Sequence, residues 1–133
     1  MTRATRLLAP ALLAAVLTAC TIIPDAPMPE SLPAPPASPV ALGQAVQVGA
    51  VVATPMEVVE DSRCPANARC IWAGRLVVRT RIDGAGWRET GDLALGEPFA
   101  VRGVTLALTS GNPAPTTDAK PAPSEYRFTF EAR

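Results

Sequence analysis

Cys70-Ile71-Trp72-Ala73-Gly74-Arg75-Leu76-Val77-Val78-Arg79-Thr80-Arg81-Ile82 is the stretch on which the fold reading turns. Taken two residues at a time, Cys70, Trp72, Leu76, Val78, Thr80 and Ile82 share one face, while Arg69, Arg75, Arg79 and Arg81 share the other. Side chains alternate across an extended strand, so this period predicts a half-buried strand with Trp72 inside and the arginines in solvent. Asp83-Gly84-Ala85-Gly86 follows with turn chemistry, and Trp87 to Leu95 is the expected hairpin partner.

The same alternation recurs further out. Val101 to Thr109 sets Val104, Leu106 and Leu108 on one face, and Ser124 to Glu131 does so for Tyr126, Phe128 and Phe130. Towards the N-terminus, Gln44 to Val52 and Met56 to Glu60 are rich in Val and interrupted at Pro55, which suits two short strands or one bent strand. Gly111 to Pro123 carries four prolines and reads as a long loop. Six to eight short strands over residues 41–133 predict an all-β domain, a small antiparallel β-sandwich or barrel.

Composition excludes whole classes of chemistry. The chain of 133 residues contains no His, so it cannot hold a Ser-His-Asp or Cys-His catalytic unit, a His-ligated zinc or a His pH switch. Twelve basic residues balance twelve acidic ones, against the cationic excess that a nucleic-acid binder needs. Neither a Walker-type nor a GxGxxG phosphate loop is present, and Asp83-Gly84-Ala85-Gly86 is only a turn. No cofactor and no metal are expected.

Residues 1–19 read as an export signal. Arg3 and Arg6 form a positive n-region, and Leu7 to Leu17 is an uncharged run of eleven residues. That run falls short of the ~20 residues a membrane-spanning helix needs. Leu17-Thr18-Ala19-Cys20 resembles the bacterial lipobox, whose cysteine receives a diacylglycerol thioether. The resemblance implies cleavage before Cys20, acylation of that residue and a membrane partner reached through its lipid. The mature chain then carries ten basic and twelve acidic residues. Thr21 stands where inner-membrane retention uses Asp, which implies the outer membrane in a Gram-negative host, or the outer face of the cell membrane in a Gram-positive one. Residues 20–40 then form a tether: seven prolines lie between Pro24 and Pro39, mixed with Ala and Ser, in a segment too poor in large apolar groups to fold alone. Fully extended it reaches up to ~60 Å.

With Cys20 taken by lipid and the chain in an oxidising compartment, Cys64 and Cys70 are expected to form one disulfide, worth ~2 kcal/mol on the chain-entropy model. A redox role is the weaker reading, because the spacing is CxxxxxC and only Arg63 and Arg69 lie near enough to lower a thiol pKa. A metal role is weaker still, since two thiolates and Asp61 fall short of four ligands.

Asp61-Ser62-Arg63-Cys64-Pro65 followed by Cys70-Ile71-Trp72-Ala73-Gly74 also resembles a DSRCP-x4-C-x-W-x-G signature of uncharacterised bacterial secreted and lipoprotein domains. That resemblance implies a small β domain with a clipped loop and brings no activity with it. The residues themselves predict that Asp61 and Ser62 bond backbone groups in a tight turn, Pro65 stiffens the loop, Trp72 anchors its far end in the core, and Gly74 permits a bulge or close approach.

Two surfaces are candidates for binding. Arg63, Asn67 and Arg69 lie in the clipped loop, which serves either as a plain staple or as a loop presented to a protein partner. Arg75, Arg79 and Arg81 could hold an anionic polymer, unless Glu57, Glu89 and Glu131 on neighbouring strands neutralise them. Glu57, Glu60 and Asp61 gather carboxylates at one strand end, with Glu57 and Asp61 facing one way and Glu60 the other, and a solvated or loop-capping role outweighs acid–base catalysis in so small a domain. The expectation is a non-catalytic envelope lipoprotein, a tethered β module for structural or protein-binding work. The alternatives are an inhibitor-like domain presenting its loop to an enzyme and, with less support, a small hydrolase or redox protein.

Overall fold

The computed structural model describes residues 31–133, and the signal, the lipobox with Cys20 and the first part of the tether lie outside them. Seven strands form two antiparallel sheets: β1 (Val46–Val48), β2 (Val51–Asp61), β3 (Leu76–Gly84) and β4 (Trp87–Ala94) in the order β1-β2-β3-β4, and β5 (Pro98–Val101), β6 (Val104–Asn112) and β7 (Arg127–Ala132) in the order β5-β6-β7. The all-β, sandwich-like arrangement is the one the alternation predicts.

The inner faces meet in one apolar core. β3 supplies Leu76, Val78 and Ile82, β4 supplies Leu93, β6 supplies Leu106 and Leu108, and β7 supplies Phe128 and Phe130, with Tyr126 just before it. Thr80 also faces inward, and its hydroxyl donates to the Val78 carbonyl at 3.2 Å, so burial leaves it satisfied. The β3–β4 hairpin closes through Ala85 and Gly86, with Gly86 at φ +77°, as its turn chemistry requires. At the opposite end of β3, Leu95 donates to the Leu76 carbonyl and Gly96 to the Leu108 carbonyl, which ties one sheet to the other.

β2 runs straight through Pro55, and its register slips twice, at Met56 and at Val59. Each slip inserts an extra residue, and each inserted side chain is turned to solvent. The second slip alters parity. Glu57 and Glu60 end up on the outer face, opposite Arg79 and Val77, while Asp61 lies opposite Leu76 on the inner side. Strict alternation had placed Glu57 with Asp61 and against Glu60.

Strand β3 begins at Leu76, six residues later than Cys70. Gly74 adopts φ +62° and lies so close to Ser62 that an added Cβ would meet the Ser62 carbonyl oxygen at 1.7 Å. A left-handed residue breaks the extended run, so Cys70–Arg75 is loop and Trp72 does not enter the core. The close approach expected of Gly74 is present; the burial expected of Trp72 is not.

The end of the expected tether packs on the domain. At Ala34 the chain runs parallel to β1, with Ala34 N–H donating to Ala45 and Gln47 N–H to Ala34. It turns at Pro36-Ala37 and meets β7 at Val40, which exchanges two hydrogen bonds with Phe128 at 2.9 and 2.8 Å and is fully buried. One short strap therefore touches one edge of each sheet, and residues N-terminal to the expected domain start at 41 pack on the β domain.

Candidate functional site

The clipped loop leaves the sheet after Asp61 and returns at Leu76. Its arms are held by Ser62 N–H donating to the Arg75 carbonyl at 2.9 Å and Cys64 N–H to the Ala73 carbonyl at 3.1 Å, and the Cys64–Cys70 disulfide closes it. The pairing agrees with the expectation of one bridge between these thiols.

At its base lies a buried ionic cluster. The Arg63 guanidinium makes a two-point contact with Asp61, 2.8 Å at each oxygen, and the Tyr126 hydroxyl donates to Asp61 Oδ2 at 2.7 Å. The Asp61 side chain is 4% exposed and that of Arg63 15%. Arg63 also donates to the carbonyls of Gly111 at 2.5 Å and Pro113 at 3.1 Å. Burial pushes the Asp61 carboxyl up, but the guanidinium and the phenol together outweigh it and hold it below the usual carboxylate value. Two-point Arg–carboxylate contacts are directional, so the cluster fixes where the loop departs from the sheet.

The proline-rich segment after β6 braces the far side. Ala66 N–H donates to Pro115 at 2.9 Å, Asn67 Nδ2 donates to the Thr117 hydroxyl at 2.8 Å, and Thr117 N–H returns a bond to Asn67 Oδ1 at 2.9 Å. Two of the three candidate binding residues, Arg63 and Asn67, are thus occupied inside the protein. Arg69 is exposed and takes part in none of these contacts.

Beside Arg69 the loop presents apolar side chains. Ile71 is 90% exposed and Trp72 79%. Sequence periodicity pointed Trp72 inward and passed over Ile71. The signal that would have found them is the left-handed Gly74, which separates them from the strand. Arg75 lines two open depressions in the surface. The one of about 420 Å³ is lined by Cys64, Gly74 and Leu95, and the one of about 280 Å³ by Glu60, Asp92 and Phe99.

The arginine face is neutralised. Arg75 pairs with Glu60 at 2.8 Å, Arg79 with Asp92 at 3.0 Å and Glu57 at 3.3 Å, and Arg81 with Asp83 at 3.0 Å, where Arg88 also pairs. Hydrogen bonds from Ser62 and then Arg75 lower the Glu60 pKa, and the hydrogen bond that Arg79 donates to Asp92 raises that of Arg79. Of the three glutamates expected to neutralise this face, only Glu57 does so. Glu89 lies opposite Ile82 on the other side of the sheet and pairs with Arg102 at 2.6 Å, and Glu131 belongs to the other sheet. Four arginines and four carboxylates interleave, leaving no excess positive charge for an anionic polymer.

Comparison with protein-family models, with curated proteins and with solved structures yields no match.

Proposed function

We propose that this chain is a non-catalytic cell-envelope lipoprotein, acylated at Cys20, whose β module does structural or protein-binding work through the clipped loop. The observation that carries this reading is the contrast within the loop: disulfide, ionic cluster and proline-rich brace hold its base, while Ile71 and Trp72 stand in solvent. A loop that is already ordered loses little entropy on binding, and exposed Trp is the side chain most often found at the centre of a contact. The charged sheet face, its ion pairs internally satisfied, supports the loop as the contact surface. The same rigidity favours, as a second reading, an inhibitor-like module that presents this loop to an envelope enzyme.

Lipidation is tested by labelling cells with radioactive palmitate. The wild-type chain takes up label and Cys20→Ser does not; an unlabelled wild-type chain, or a labelled variant, overturns the assignment.

A further inference from the structure

We infer that the open edge of β4 is a self-pairing interface: two copies of this chain join β4 to β4 antiparallel, about a two-fold axis at Thr90, into one continuous sheet. The inference is independent of the acylation of Cys20 and of any contact made by the clipped loop.

The sandwich has four strand edges, and they are unequally guarded. The strap covers part of β1 at Ala34 and part of β7 at Val40. β5 is four residues long and opens with Pro98, which has no N–H to offer a pairing strand. β4 is eight residues long and pairs with β3 alone. The Leu95 N–H donates to the Leu76 carbonyl at 2.9 Å, and along an antiparallel ladder the bonded residues recur at every second position. Trp87, Glu89, Gly91 and Leu93 therefore bond β3, and Arg88, Thr90 and Asp92 turn their N–H and C=O groups to the open side. Among the described residues, no turn, loop or strap segment bonds these outward groups, and all three residues are exposed.

Charge selects both the occupant and the register. Outward groups must meet outward groups, so two β4 strands that pair antiparallel place their two-fold axis on a residue of β4. With the axis on Arg88, Glu89 or Asp92, that residue faces its own copy and like charges meet. With the axis on Gly91, Glu89 faces Leu93 and Asp92 faces Thr90. With the axis on Thr90, Arg88 of each copy faces Asp92 of the other, and Thr90 faces Thr90. Of these, the Thr90 register alone sets opposite charges directly across, and it does so twice.

Neither side chain strands its present partner by turning to the other copy. Asp83, which Arg88 pairs with, keeps Arg81 at 3.0 Å, and Arg79, which Asp92 pairs with, keeps Glu57 at 3.3 Å. On the other side of β4, Arg102 holds Glu89 at 2.6 Å and the Phe99 ring lies where a side chain at Gly91 would stand, so the strand is fixed from within. Exposed ion pairs add little affinity; they set the register, while about six backbone hydrogen bonds join the strands. A contact of this symmetry uses up both β4 edges at once and closes at two copies.

The test uses residues 20–133 with Cys20→Ser, which keeps the whole expected mature chain and leaves no cysteine for lipid. Sedimentation velocity over a range of concentrations is expected to show this parent in monomer–dimer equilibrium. Arg88→Asp sets two acidic pairs across the axis and Asp92→Arg two basic ones, so each variant alone should dimerise at least about tenfold more weakly. Mixed in equal amounts, the two variants present opposite charges at both positions. The mixture should dimerise about as tightly as the parent, and less so as salt rises. Thr90→Pro removes the N–H at the axis, which makes no bond to β3, and should also weaken the parent dimer at least about tenfold. A parent that stays monomeric up to ~1 mM overturns the proposal. Single charge variants that dimerise as the parent does, or a mixture that fails to associate, overturn it equally. A folded Thr90→Pro variant that dimerises as the parent does places the contact elsewhere; should that variant fail to fold, the mixed charge variants decide.

Discussion

Tyr126 is the chain's single tyrosine, so its ionisation can be followed without labels. The residue is buried, its ring stacks on Phe128 with centroids 5.5 Å apart, and its hydroxyl donates to Asp61. Ionisation would place a phenolate in an apolar shell beside a carboxylate. Burial first, and then the hydrogen bond and charge of Asp61, push the phenol up to about 12, with Arg63 pulling the other way. In the unfolded chain it ionises near ~10. The folded state therefore holds this proton more tightly, and the corresponding stability is intact below pH ~10 and lost as pH rises from ~10 towards 12, by roughly 3 kcal/mol at the upper end. The assay is tyrosinate absorbance against pH for the 31–133 fragment, with a denatured control, followed by urea midpoints at each pH. Tyr126→Phe removes the absorbance change, costs about 1–2 kcal/mol at neutral pH because Asp61 loses one donor, and abolishes Tyr126's part of the alkaline decline. A native titration centred where the denatured chain titrates would refute the buried contact between Tyr126 and Asp61.

Gly74→Ala should cost about 2 kcal/mol or more, because the new Cβ meets the Ser62 carbonyl in a left-handed backbone, whereas Gly86→Ala, equally left-handed with nothing within 4 Å, should cost only about 1 kcal/mol. Equal urea midpoints for the two variants would show that the loop arms are not in contact. Thiol titration of the denatured, unreduced fragment should detect no free thiol, and reduction should lower stability by ~2 kcal/mol while leaving the β signature in circular dichroism. Two reactive thiols would contradict the bridge.

The strands that could be read directly were those whose alternation runs unbroken. Leu76, Val78, Thr80 and Ile82 on β3, and Phe128 and Phe130 on β7, face inward as their spacing requires. The reading failed wherever one residue shifted parity. The inserted Val59 carries Glu60 outward and Asp61 inward, so an acid that looked solvated became the buried partner of Arg63. Left-handed Gly74 did the same for Trp72, since alternation counted across it assigns the wrong side. Bulges and left-handed glycines leave little trace in a hydrophobicity pattern, because they change the phase of the pattern and not its composition. The contacts bracing the clipped loop were illegible for another reason. They join Arg63 and Asn67 to Gly111, Pro113 and Thr117, about fifty residues away, and apart from the Thr117 hydroxyl they use backbone groups on that distant segment, which hydrophobicity patterns do not register.

The strap from Ala34 to Val40 bears on what the sheet edges are free to pair with. A sandwich of two open sheets has strand edges on which other chains can pair, and here one segment covers part of the β1 edge with Ala34 and part of the β7 edge with Val40. Cutting the chain at residue 41 would uncover both together. Because the two freed edges belong to different sheets of one molecule, edge-to-edge joining need not close on itself, and the truncated domain would be set up to grow as an open polymer.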